Sequence, residues 1–173
     1  MTVYRILISY AVLAVAAIAA VPAISQSMPA TAGETLSGKH IVLADAVRGH
    51  SAVLVAGFSH EGGTQTGDWM KAIHADSALS GVDAYQVAML GGAPSFIRGT
   101  IKSGMRKGLS NAQQDWVIVI TQDQDQWKKY FDVSDDKVPY VLLLDAEGHV
   151  LWHGHGSPDG QEAQLRAVVP SAK

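Results

Sequence analysis

Cysteine does not occur anywhere in the 173 residues. Thiol–disulfide exchange, thiol peroxidase chemistry and cysteine-nucleophile catalysis all need a thiolate, so all three are excluded. An excess of positive charge is lacking too. The 13 Lys and Arg against 16 Asp and Glu leave a formal charge of -3, which offers no basic field to a nucleic acid backbone. The chain has no repeat and no long low-complexity tract. What is present is a 47% share of hydrophobic residues, enough for a proper core in a chain whose length suits one domain.

One long apolar run stands out. Arg5 precedes "ILISYAVLAVAAIAAV", Ile6 to Val21, and Pro22 and small residues follow. A basic start, an apolar stretch and small residues at a cleavage point describe a secretory signal peptide over residues 1–25. The alternative is an uncleaved membrane anchor over residues 6–24, close to the shortest length that spans a bilayer. Either way the expectation is a periplasmic or secreted domain. Residues 26–35 read as a polar linker and residues 36–170 as the folded domain.

"KHIVLADAVRGHSAVLVAGFS" reads as two short strands around a turn at Arg48–His50. The continuous run Val53 to Phe58 suits a strand buried on both faces. "HEGGTQTGD" then breaks the pattern, with Thr64 and Thr66 as candidate N-caps of a helix that carries Trp69, Met70 and Ile73. A strand over Asp83–Gly91 precedes a helix opened by Pro94. In that helix Ile97, Ile101 and Met105 form an apolar stripe, and Arg98, Lys102 and Arg106 form a basic one beside it. "DWVIVIT" is a second buried strand and "DQDQWKKYFDV" a short helix. "VPYVLLLD" and "HVLWHG" make a terminal hairpin through "DAEGH", and Ser157–Pro158 opens a last helix. The order predicts an α/β domain: a mixed central sheet, helices on both faces, and a C-terminal antiparallel hairpin.

That order, with "VPY" before the hairpin, resembles a thioredoxin-like three-layer sandwich. In such domains a reactive cysteine follows the strand that here ends at Phe58. Ser59, His60, Glu61, Gly62 and Gly63 hold those positions, and the resemblance implies a cis-proline at Pro139 facing them. "FIRGTIKSGMRKGL" and "VIVITQDQDQWKKYFDVSDDKVPYVLLLDAEGHVLWHGHG" are similar to the ATP-synthase assembly-factor-ten family over Leu36 to Val169. Members of that family help to assemble the proton-channel sector of ATP synthase. The resemblance therefore implies an assembly or binding module rather than an enzyme.

Three sets of residues could carry function. Ser59, His60 and Glu61 sit at the strand-to-helix junction, but the sequence supplies no acid partner that would make a nucleophile of the serine. Arg98, Lys102 and Arg106 align on one helix face and could dock an acidic partner or anionic headgroups. His60, His149, His153 and His155 could together bind copper or zinc through imidazole, which gives the alternative reading of a histidine-based metal carrier. The four tryptophans read as core. The expectation is an exported, redox-inactive module with no cofactor and a protein partner, membrane-associated or soluble.

Overall fold

The structure is a computed structural model that describes residues 27–169. The signal-peptide or anchor reading of residues 1–25 lies outside the described residues. Seven strands form one sheet in the order β2-β1-β5-β4-β3-β6-β7. Along the chain these are β1 (Ala32–Thr35), β2 (His40–Val42), β3 (Ala52–Gly57), β4 (Asp83–Met89), β5 (Val117–Ile120), β6 (Tyr140–Leu144) and β7 (Val150–His155). The helices are α1 (Leu43–Ala46), α2 (His60–Ala75), α3 (Ser95–Arg106), α4 (Asn111–Gln114), α5 (Gln124–Tyr130) and α6 (Glu162–Val168). β3, β4 and β5 pair in parallel, with Leu54 opposite Tyr85 and Val87 opposite Ile118. β6 joins β3 antiparallel, and the β6–β7 hairpin closes that edge.

Every residue of β3, β5 and β6 is buried, as their unbroken apolar runs require of strands covered on both faces. Side chains alternate across the sheet. Leu54, Ala56, Val87, Ile118 and Leu142 face α1 and α5, where Leu43, Trp127, Tyr130 and Phe131 meet them. Val53, Val55, Val141 and Leu143 point the other way, onto Trp69 and Ile73 of α2 and Leu165 of α6. Val117 and Val119 share that second side with Leu36 and the half-buried Met105. The predicted mixed sheet with helices on both faces is what the chain forms.

Four local expectations are corrected. The stretch read as linker contributes β1, which inserts beside β5 with Glu34 opposite Val119. "LADAV" is not strand: Leu43 and Val47, four residues apart, are both fully buried on one helical face. Pro94 is the N-cap of α3 rather than its first residue. Trp69 and Trp127 are fully buried, but Trp116 is exposed and leans on Tyr85 at the start of β5.

The tightest packing lies where β3 passes into α2. A Cβ added at Gly57 would stand 2.5 Å from the Cα of Gly63, whereas one added at Gly63 would meet nothing. Gly57→Ala is therefore expected to lower stability by about 1–3 kcal/mol through overpacking. Gly63→Ala, in the first turn of a helix, is expected to be neutral or stabilising by about 0.5–1 kcal/mol. Urea melts of the two variants check the pair, and equal losses would contradict this packing.

Candidate functional site

The junction after β3 is not an open loop. α2 begins at His60, and Ser59 is its N-cap, with φ -140° and ψ 177°. The Ser59 hydroxyl accepts the Gly62 amide at 3.1 Å and donates to the carbonyl of Asp136 at 2.6 Å. Its single proton is thus committed to a backbone oxygen. Thr64 and Thr66 are not caps. They sit inside α2 and donate back to the carbonyls of Glu61 and Gly63, the local bond these side chains form within helices. Ser59 takes the cap instead because it is the last extended residue before the turn, and it leaves Gly62, Thr66, Trp69 and Ile73 on the buried face.

A second segment lies across this turn. A Cβ added at Gly62 would be 2.8 Å from the Asp136 carbonyl oxygen and 2.9 Å from that of Val138. Gln65 also donates to the Lys137 carbonyl at 2.9 Å. The loop is pinned from below by Tyr140, whose phenolic oxygen accepts the amides of Ser134 and Asp135, each at 2.9 Å. The expected cis-proline is absent: no peptide bond among the described residues is cis, so Val138–Pro139 is trans. Trans is the lower-energy isomer of an X–Pro bond by about 0.5–1 kcal/mol, and the Val138 carbonyl fits directly over Gly62. The groove between junction and proline loop is filled by the protein's own backbone. His60 and Glu61 remain exposed beside it.

The basic stripe turns inward. Arg98 donates to the carbonyls of Ala93 at 2.8 Å and Gly91 at 3.1 Å. Lys102 pairs with Glu34 of β1 at 2.9 Å, and Arg106 donates to the Leu36 carbonyl at 2.6 Å. α3 has no fully buried residue; its three cations fasten it to β1 and to its own leading loop. The Lys102 hydrogen bond, with its positive charge, holds the Glu34 carboxyl below its ordinary 4.5. A solvated docking face is thus replaced by internal pairing.

The four histidines do not converge. His149 and His155 are at opposite ends of β7, about 20 Å apart at ~3.4 Å per residue, and His60 is on α2. His155 stacks on Tyr140 with ring centroids 5.8 Å apart. His149 hydrogen-bonds Asp145 across the β6–β7 turn at 3.0 Å. Among the described residues, the group whose donor atoms come within 4.8 Å of one another is Asp145, Glu147 and His149. Two of its three members are exposed, and its internal hydrogen bonds are those of an ordinary acidic turn.

The sequence reading missed Phe96. It is 85% exposed, against 42% for Trp116, the next large hydrophobic. The signal was present: Phe96 falls one residue off the Ile97, Ile101, Met105 stripe, so it had to point elsewhere.

The family model for ATP10 protein matches residues 22–169. No curated protein matches the chain. Among solved structures it is similar to a DsbE thiol:disulfide interchange protein from Chlorobium tepidum, with 18% identity and TM-score 0.58, covering 82% of this chain and 94% of that one. It is also similar to BsSco, a member of the Sco family of cytochrome c oxidase assembly proteins, with 13% identity and TM-score 0.57 over 84% and 92% of the two chains. A third likeness is to the exposed lipoprotein thioredoxin of Streptococcus pneumoniae, with 16% identity and TM-score 0.55 over 79% and 96%. The fold is thioredoxin-like.

Two outcomes test this geometry. Ser59→Ala removes a cap and is expected to cost about 0.5–2 kcal/mol in a thermal melt, and an unchanged melt would contradict the cap. The folded Glu34 carboxyl lies below 4.5, so its pair contributes fully above that pH and the contribution is lost as pH falls through the lowered value. Lys102→Met should therefore destabilise at neutral pH and flatten the acid limb of the stability profile. A parallel shift across all pH would remove the ion pair as its cause.

Proposed function

The chain belongs to the ATP10 protein family, and from that premise we propose that it is an exported assembly factor, which binds a protein partner and makes or breaks no bond itself. The observation that carries this reading is the use made of Ser59. At the position where thioredoxin-like relatives place chemistry, a hydroxyl caps a helix and ties it to Asp136. A serine becomes a nucleophile only when a base takes its proton, and here the proton is given to a carbonyl. The chain has no cysteine, which rules out thiol chemistry and supports a fold that serves as a rigid, redox-inactive carrier of surface.

The contact surface centres on exposed His60 and Glu61. The inward cations Arg98, Lys102 and Arg106 fasten α3 to the domain. Export is supported by the apolar run Ile6–Val21 behind Arg5. The family role points to a partner in the membrane sector of ATP synthase.

The test is removal of the protein from the native envelope. Native gels should show less assembled ATP synthase, restored by the wild-type chain and by Ser59→Ala, which leaves the surface intact. Full assembly without the protein would overturn the assembly role. Rescue that needs a thiol introduced at position 59 would overturn the non-redox mechanism.

A further inference from the structure

We propose that the end of the sheet carrying the carboxyl termini of β3, β4 and β5 faces a lipid bilayer, with Phe96 entering the interfacial layer. This rests on the export reading above, with the apolar run Ile6–Val21 retained as an anchor.

The argument starts from where the chain enters the domain. β1 runs antiparallel to β5 with Glu34 opposite Val119, so the residues before Ala32 emerge at the carboxyl end of β5. Thr31 donates to the Asp123 carboxylate there at 2.6 Å. Pro29 is buried and Met28 packs against the core, so the entering segment is held down from Met28 onward. Only residues 22–27 then separate the apolar run from the domain, about 20 Å at full extension of roughly 3.3–3.6 Å per residue. A retained anchor therefore keeps this end close to the bilayer. The β6–β7 turn lies at the opposite end, where the Gly49 amide meets the Ala146 carbonyl.

Phe96 belongs to the tethered end. A Cβ added at Gly91 would be 2.7 Å from Gln124 Oε1, so the loop after β4 touches the start of α5 beside Asp123. Arg98 reaches back to the same loop, which fixes the first turn of α3 there. From Phe96 the outward side of the helix continues through Gly99, Thr100, Ser103 and Gly104, all exposed and uncharged. The helix's central cations are spent inward, so a lipid surface would not have to strip water from them. α3 leads from the carboxyl end of β4 back toward the amino end of β5, so its first turn, with Phe96, is the part that meets the headgroup boundary, where an apolar ring is favourably buried. Glu61, Asp123 and Asp125 are exposed at this end, so the attraction is apolar and should survive high salt.

The cysteine-free chain allows a single nitroxide label at any chosen site. The full chain carrying Ser95→Cys, labelled and reconstituted in phosphatidylcholine vesicles, should show a several-fold rise in the ratio of oxygen to nickel-chelate collisions. The rise should persist at high salt and disappear in Ser95→Cys combined with Phe96→Ser. A label at Glu147→Cys should remain aqueous. Failure of the full chain to float with vesicles would overturn the retained anchor and this inference with it. Flotation with an aqueous label at position 95 would overturn the facing end alone. Protection at position 95 that appears only when envelope proteins are added would assign Phe96 to a protein partner and overturn the lipid contact.

Discussion

The backbone of Asp136–Val138 lies against the first turn of α2 at a distance that leaves no room for a side chain at Gly62. That approach ties the middle of the chain to its C-terminal half. It requires Gly62 to lack a Cβ atom and Ser59 to hold both its own helix and the opposing carbonyl. Tyr140 must also receive two amides of the loop to keep it in place. Each of these residues has a structural duty in holding the two segments together.

α3 is held by charge rather than by burial. This helix buries no residue fully, yet it is not loose, because Arg98, Lys102 and Arg106 anchor it to carbonyls and to Glu34. Charged hydrogen bonds of this kind are worth more than neutral ones. Cations fastened inward leave an outward side of small residues led by Phe96, at the end where the chain enters. The opposite end carries the acidic β6–β7 turn. The domain thus has two unlike ends, and the one at which the chain enters β1 carries Phe96.

The parallel core was legible because Val53–Phe58, Val117–Ile120 and Tyr140–Leu144 are apolar runs too short and too continuous for anything but covered strands. The terminal hairpin was legible from "DAEGH" between two such runs. β1 was not, since Ala32–Thr35 has only four residues and gains its strand character from pairing with β5. The stripe Arg98, Lys102, Arg106 was correctly placed on one helix face but wrongly turned to solvent. Periodicity gives relative angle around a helix, not the direction that faces the core. The histidines failed for a similar reason: spacing along a strand does not say that its two ends are a sheet's height apart.

By itself the sequence determined that no thiol chemistry is possible, that a mixed sheet forms, and that the polar break after Phe58 adjoins a helix. These follow from which atoms are present and from local periodicity, both properties of the chain alone. Only the tertiary structure decided that Ser59 spends its proton on Asp136, that the bond before Pro139 is trans, and that the cations of α3 point inward while Phe96 points out. Those outcomes depend on distances between segments far apart in sequence, which packing sets and composition does not record.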